Sequence, residues 1–340
     1  MIDTSTQVLS IQSFQLAGGA VLPQADIAYV TLGKLNEEGT NAILVTHGYT
    51  SSHRFVLAED NAPEGSWSGL VGPGKAIDTD RFFVVCSNAL GSCYGSTGPA
   101  SIDPETGLAY RSHFPQIGFE DVVRLQRALL DSLGIGQLHA VVGVSMGGYQ
   151  ALQWAVQYPG FAARVGVVLS ALQASADSNE RLKDLREAVR SQPGWNDGRP
   201  AQEAMEPFLA RLRYDTLKNY GFLAWCRSKG MDDAEQTRVA QGLANQWASV
   251  FDVNSLITLR QAIASFDVTD QLSVIRSRVL YVLSTTDRLF PPSLAPDAMK
   301  RFTDAKVDAQ YVELESDFGH LASGLDWQKW APALKAFLQS

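Results

Sequence analysis

Short apolar runs punctuate the first half of the chain. "QADIAYVTLG" (24–33) and "NAILVTHG" (41–48) read as strands, as do "RFFVVCSN" (81–88), "LHAVVGVS" (138–145) and "RVGVVLSA" (164–171). The later runs are apolar on successive positions, the mark of parallel strands buried on both faces. Helical spacing separates several of them. Val122, Leu125, Leu129 and Leu133 recur every three or four residues, and Gly134 ends that helix. The stretch "MGGYQALQWAVQYP" (146–159) reads as a second helix, stopped at Pro159 and Gly160. Strand–helix–strand alternation predicts an α/β fold with a mostly parallel sheet and helices on both faces.

The pattern changes from residue 172 to residue 274. This segment is polar and amphipathic, with helix-like stretches such as "SNERLKDLREAVR" and "DDAEQTRVAQGLANQWASVF", a loop at "SQPGWNDGRP", and no convincing buried strand. Strand signals return with "RVLYVLSTTD" (278–287) and "AQYVELES" (309–316). The last segment, "DWQKWAPALKAFLQS", looks helical, with Pro332 expected in its first turn or breaking it. The organisation that follows is a core formed by 1–171 and 275–340, interrupted by a helical lid at 172–274.

Composition narrows the function. The chain has 340 residues, 45% hydrophobic and 19% charged, so it can bury a sizeable core. A net charge of -8 without a basic cluster argues against nucleic-acid binding. The longest apolar runs are far too short to span a bilayer, and residues 1–10 lack the charged head and hydrophobic stretch of a signal peptide. Three cysteines, Cys86, Cys93 and Cys226, are irregularly spaced, which fits free thiols in a reducing, cytoplasmic setting. With five histidines scattered among them, none has zinc spacing, and no metal site is expected.

The chemistry concentrates at Gly143-Val144-Ser145-Met146-Gly147, a G-x-S-x-G motif with a strand before it and a helix after it. A strand that turns at once into a helix strains its corner residue, and side chains two positions away would crowd the corner. The hydroxyl is left exposed at the carboxyl end of the sheet, beside unpaired helix N–H groups. A serine nucleophile needs a base, and the base needs an orienting acid, in the chain order Ser, Asp or Glu, His. His320, in "ESDFGHLAS", is the one histidine downstream of Ser145. Asp287 follows the preceding strand in "VLYVLSTTDRLFPP" and is the favoured acid. Asp317 reads as a solvated turn residue on the histidine's own loop, and Asp267 and Asp270 precede that strand, at its wrong end. The oxyanion donors expected are the amides of Met146 and of Tyr49, in "ILVTHGYTSS". His47 reads as structural support under that loop. Residues 69–75, "GLVGPGK", mimic a P-loop, but Ala76 stands where a magnesium-binding Ser or Thr is needed, so nucleotide binding is not expected.

"GLVGPGKAIDTDRFFVVCSNALGSCYGSTGPASIDPETG", "FP" at 114–115, "SMGGYQALQWAVQYP", "FDVNSLITLRQAIASFDV" and "DRLFPP" together resemble the homoserine O-acyltransferase family of α/β-hydrolases. The likeness covers most of the chain outside the insertion. It implies an α/β-hydrolase core with a helical lid, a homodimer joined through lid helices, and a ping-pong acyl-enzyme mechanism without cofactor. It also implies triad positions at Ser145, Asp287 and His320, with oxyanion donors at Tyr49 and Met146. Two positions depart from the family pattern. Leu321 stands where the transferases carry an acidic residue to hold the substrate's ammonium, and Tyr149 stands where methionine is usual. Arg211 and Arg213 are the candidates to clamp a substrate carboxylate. Because a leucine cannot pair with an ammonium, the sequence points to a hydrolase of small, acetyl-type esters. Acetyl transfer from acetyl-CoA to homoserine is the first alternative, and a catalytically inactive binding protein the second.

Overall fold

The structure, a computed structural model, describes residues 5–58 and 66–340, so the first four residues of the N-terminal stretch read above lie outside the described residues. The chain runs β1 (Gln7–Gln15), β2 (Val21–Leu32), β3 (Ala42–Thr46), β4 (Val71–Gly72), β5 (Ile77–Asp78), β6 (Phe83–Ser87), α1 (Phe119–Ser132), β7 (Leu138–Val144), α2 (Met146–Gln157) and β8 (Ala162–Val168). Five helices follow: α3 (Ser178–Arg190), α4 (Gln202–Asn219), α5 (Phe222–Ser228), α6 (Asp233–Ala248) and α7 (Val253–Ala264). The chain then returns to the sheet with β9 (Arg278–Ser284), α8 (Ala295–Asp304), β10 (Ala309–Leu314), α9 (Ala322–Leu325) and α10 (Trp327–Gln339).

Eight strands form one sheet in the order β1-β2-β6-β3-β7-β8-β9-β10. β1 and β2 pair antiparallel, as do β2 and β6, and every pairing from β6 to β10 is parallel. The apolar runs explain why the centre is parallel. In β3, Ile43 and Val45 join the core on one face, with Trp330, Leu334 and Phe337 of α10. Leu44, between them, joins the core on the other face, with Leu125 and Leu129 of α1 and Leu152 of α2. A strand with a helix layer on each side has no solvent face, so polar alternation disappears. Parallel pairing also brings the carboxyl ends of β3, β7, β8, β9 and β10 to one edge of the sheet, where ligand sites of open α/β sheets form.

The helical insertion has its own apolar clusters. Val189 of α3, Leu209 of α4, Trp247 of α6 and Leu256 of α7 form one, and Leu217 of α4, Phe222 and Cys226 of α5 and Ala240 of α6 form another that includes Leu321 of the core. α7 spans both layers, because Leu259, Ala262 and Ile263 in its second half belong to the main core.

Two readings need correction. β1 was not among the expected strands. Val8 is half exposed there, burial alternates between intermediate and exposed from Gln7 to Gln12, and Phe14 alone is buried, so this edge strand lacks the dense apolar signal of the central ones. Pro332 neither breaks α10 nor sits in its first turn; it lies inside the helix. Its side is solvent-exposed, where water can take the carbonyl left without a donor, and Trp330, Leu334 and Phe337 anchor the buried side. Residues 69–75 run from the end of the helical turn Trp67–Gly69 through β4 into the turn that leads to β5, and Lys75 Nζ donates to the Ser68 carbonyl at 2.5 Å. No helix of the described residues is long and apolar enough to cross a membrane.

Candidate active site

Ser145 sits at the corner between β7 and α2 with φ 57° and ψ -120°, a conformation that L-residues rarely adopt. The flanking glycines are required by space. A Cβ on Gly143 would lie 2.1 Å from the Gly147 carbonyl oxygen, and one on Gly147 would lie 2.1 Å from the Thr46 carbonyl oxygen. β3 and α2 therefore approach at backbone distance. The Thr46 hydroxyl secures that approach by donating to the Gly147 carbonyl at 2.8 Å. Sequence reasoning passed over Thr46, though a buried polar residue closing an all-apolar strand is a readable signal.

Asp287 follows β9 and is almost fully buried. Burial by itself would raise its pKa. The electrostatic attraction of the facing His320 ring, the hydrogen bond from that ring, and the amides of Leu289 and Phe290 at 2.8 and 3.2 Å outweigh that and hold the carboxyl below its ordinary value. A carboxylate can only accept, so His320 Nδ1 carries the proton and donates to Asp287 Oδ2 at 2.8 Å. Nε2 is then the acceptor, and it takes the Ser145 hydroxyl at 2.9 Å. Three side chains distant in sequence thus form one continuous line of hydrogen bonds. The acid and histidine loops are also joined to each other: the Gly319 amide donates to Thr286 Oγ1 at 3.0 Å, and that hydroxyl donates to the Ser316 carbonyl at 2.7 Å. Asp317 is exposed beside them.

The insertion reaches the same point. The Tyr220 ring lies 4.6 Å from the His320 ring, and the Leu321 amide donates to the Tyr220 carbonyl at 3.3 Å. Gly221 permits this docking, since it has φ +98° and a Cβ there would lie 2.5 Å from the Phe318 carbonyl oxygen. No local pattern reveals Tyr220, because its partner is in another part of the chain.

Gly48, Tyr49, Thr50, Ser145, His320 and Leu321 are among the residues around a cavity of about 20 Å³, close to the volume that one water needs. Met146 opens α2, where helix amides have no partner within the helix. Tyr49 follows β3, and its hydroxyl donates to the Leu256 carbonyl of α7 at 2.5 Å. Beneath this loop the Ala89 amide donates to His47 Nε2 at 3.3 Å, so Nδ1 holds the proton and donates to the Gly48 carbonyl at 2.8 Å. Burial pushes the His47 pKa down to about 4, which keeps it neutral. Of the two arginine candidates, Arg211 is exposed and Arg213 is 1% exposed. Arg213 donates to Thr50 Oγ1 at 2.9 Å and lies over the Trp247 ring. Tyr149 is buried, stacked on Phe266 with ring centroids 4.2 Å apart. The three cysteines are free, and no cluster among the described residues could hold a metal ion.

Residues 41–326 match the family model of the alpha/beta hydrolase fold. A homoserine O-acetyltransferase from Methanohalophilus mahii is 36% identical over 346 residues, covering 96% of this chain and 71% of its own length. Among solved structures, esterase E22 matches with a TM-score of 0.88 at 29% identity, covering 98% of this chain and 100% of its own. Homoserine O-acetyltransferase from Bacillus anthracis matches with a TM-score of 0.86 at 26% identity, covering 100% and 99%.

Proposed function

The chain belongs to the homoserine O-acetyltransferase group of the α/β-hydrolase family, whose shared chemistry is hydrolysis or acyl transfer of the Ser–His–Asp type, and from that premise we propose that it is an acyltransferase working through an acyl-enzyme on Ser145. The observation that carries this is the hydrogen-bonded line from Asp287 through His320 to Ser145. His320 takes the serine proton as Oγ attacks the acyl carbonyl. Asp287 fixes the imidazole tautomer and stabilises the imidazolium. The amides of Tyr49 and Met146 receive the charge that develops on the carbonyl oxygen. The thiol of an acyl thioester then leaves with the proton from His320. In the second half, His320 deprotonates the acceptor hydroxyl as it attacks the acyl carbon, the bond from that carbon to Ser145 Oγ breaks, and His320 returns the proton to Oγ.

Homoserine as acceptor of an acetyl group is favoured by the relatives, which carry the name homoserine O-acetyltransferase, and acetyl-CoA is the donor in this proposal. This moves the reading from the ester hydrolysis that the sequence suggested to its alternative. The buried Arg213, linked through Thr50 to the cavity at Ser145, supports an acceptor that bears a carboxylate. Residues 172–274 act as the lid that admits the acceptor, and we extend the proposal to a homodimer working in the cytoplasm.

One observation favours a second reading. Leu321, directly after His320, is buried at the cavity and packs into the cluster of Leu217, Phe222 and Cys226. It offers no charge to an ammonium, which favours water as the acceptor and small esters as substrates. Thiol release from acetyl-CoA, measured with and without homoserine beside turnover of a small acetate ester, separates the two. Homoserine-dependent release well above ester hydrolysis is expected. Ester hydrolysis that exceeds it, with no response to homoserine, would establish the hydrolase reading instead.

A further inference from the structure

Residues 315–318 carry the chain from the end of β10 to the turn Gly319–Leu321 that holds His320, with no strand or helix of their own. Of these residues Ser316 is the buried one, between the exposed Glu315 and Asp317. The inner anchor of the segment is therefore a polar residue, and each of its polar groups is used. Its amide donates to Thr285 Oγ1 at 3.0 Å, its carbonyl accepts the Thr286 hydroxyl at 2.7 Å, and its Oγ accepts the Phe318 amide at 3.1 Å. The remaining hydroxyl hydrogen goes to Asp326 Oδ2 at 2.5 Å.

Asp326 lies at the start of α10, the position from which a carboxylate usually accepts the first helix amides. It caps none of them. The carboxylate turns instead to the Ser316 hydroxyl, a charge-assisted bond, and to the Lys329 ammonium 3.0 Å away. Lys329 Nζ also donates to the Glu315 carbonyl at 3.0 Å, so it holds the same segment one residue earlier. Both side chains stand on a helix that Trp330, Leu334 and Phe337 fix to the core. The start of α10 thus gives up a bond that would serve its own helix for bonds that serve the histidine's loop.

We propose that Asp326, supported by Lys329, is a positioning residue for His320, an inference that rests on the reading of His320 as the proton carrier. The path runs from Asp326 through Ser316 to Thr286, whose Oγ1 receives the Gly319 amide at 3.0 Å, directly before the histidine. Asp287 fixes the ring, and this path fixes the backbone that carries the ring. With the anchor released, the ring spends less time in line with Ser145 Oγ, and proton transfer depends on that alignment. Asp326 is not among the residues around the cavity at Ser145, so its loss falls on kcat and leaves KM nearly unmoved.

Three variants of the full chain are compared with the parent in whichever reaction it performs faster, acetyl transfer to homoserine or hydrolysis of a small acetate ester. Asp326→Leu, which keeps the bulk and removes the acceptor, lowers kcat about tenfold with KM within about twofold of the parent. Asp326→Asn keeps an oxygen for the Ser316 hydroxyl and returns kcat to within about threefold of the parent. Lys329→Met, at a half-exposed position, lowers kcat by about threefold. In proton NMR spectra the far-downfield signal of the Nδ1 proton between His320 and Asp287 broadens in Asp326→Leu and persists in Asp326→Asn, a measure of ring alignment independent of turnover. A thermal melt shows that each variant is folded; if Asp326→Leu is not, Lys329→Met decides the matter. Parent kcat in folded Asp326→Leu, or in Lys329→Met where the leucine variant does not fold, leaves these residues a structural role and overturns the proposal, as does a loss of kcat that asparagine fails to rescue. His320→Ala tells the two failures apart. If it is inactive while Asp326→Leu is fully active, the proposal alone falls; if it keeps a rate within about tenfold of the parent, the reading of His320 falls with it.

Discussion

Two loops at the carboxyl edge of the sheet each carry a buried histidine, one after β3 and one after β10. Both rings are held at both nitrogens. His47 receives a backbone amide and donates to a backbone carbonyl. Those partners are fixed by covalent structure, so the ring has one tautomer and no use for a second proton. His320 lies between a carboxylate and a hydroxyl. One partner can stabilise added positive charge and the other can surrender a proton, so in the proposed mechanism the same side chain becomes a proton carrier. The partners, not burial or position on the fold, set the role.

The comparison breaks first at His320. On the proposed roles, His320→Ala or Ser145→Ala lowers kcat by about 10⁴-fold or more, since triad members fail as a unit. Neither change moves the unfolding temperature much. Steady-state rates beside a thermal melt check both parts. A residual rate within tenfold of the parent would place the chemistry elsewhere.

His47→Gln sharpens the contrast. The ring's Nδ1–H fixes the Gly48 carbonyl, and with it the peptide that presents the Tyr49 amide. On the proposed oxyanion role of the Tyr49 amide, releasing that peptide costs about 10²–10³-fold in kcat, the scale of one lost donor, with KM little changed. A rise in KM with kcat unchanged would mean that the loop binds ground state and transition state alike. An unaltered rate would mean that His47 has no positioning role.

How far the sequence disclosed these two loops follows from what each is made of. The elbow was legible because strand, glycines and serine are contiguous and the strain is local. His320 and Asp287 were legible because chain order and strand ends leave few candidates. Tyr220 was not, because its contact with His320 depends on how the insertion folds back over the sheet. Arg213 was one of two near neighbours on a helix. Only the pitch of α4 decides that Arg213 turns inward while Arg211 faces solvent. The edge strand β1 was lost for the opposite reason to the central strands, since its pairing is with backbone and its faces are half wet.

Acid titration reads His47 without catalysis. Its folded pKa lies at about 4 against an ordinary 6.5, because burial disfavours the charged ring. Between those values the unfolded chain takes up a proton that the folded chain refuses. The stabilisation is therefore complete above about pH 6.5 and is lost as pH falls toward 4, by about 3 kcal/mol in all. His53, pushed down to about 3 mainly by burial, adds to the same slope. Urea unfolding at a series of pH values checks this. In His47→Gln the slope between pH 6.5 and 4 is shallower; an unchanged slope would show that the buried ring titrates as it does in water.

The smallest effect concerns the hydroxyl beside the first of these histidines. Thr46 donates to the Gly147 carbonyl where β3 and α2 come within backbone distance. Thr46→Val keeps the shape and removes the donor, which costs about 1 kcal/mol of stability, the net worth of one neutral hydrogen bond. Gly147 lies two residues after Ser145, so any added freedom appears first at the elbow. The expected signature is a lowered urea midpoint with kcat reduced by less than about tenfold. Those two readouts decide between two accounts of the corner. If the backbone clash alone fixes Ser145 in its strained conformation, kcat stays at the parent value while stability falls. If the hydroxyl shares in holding it, both fall together, and the loop of His47 is tied to the nucleophile through Thr46 as well as through the Tyr49 amide.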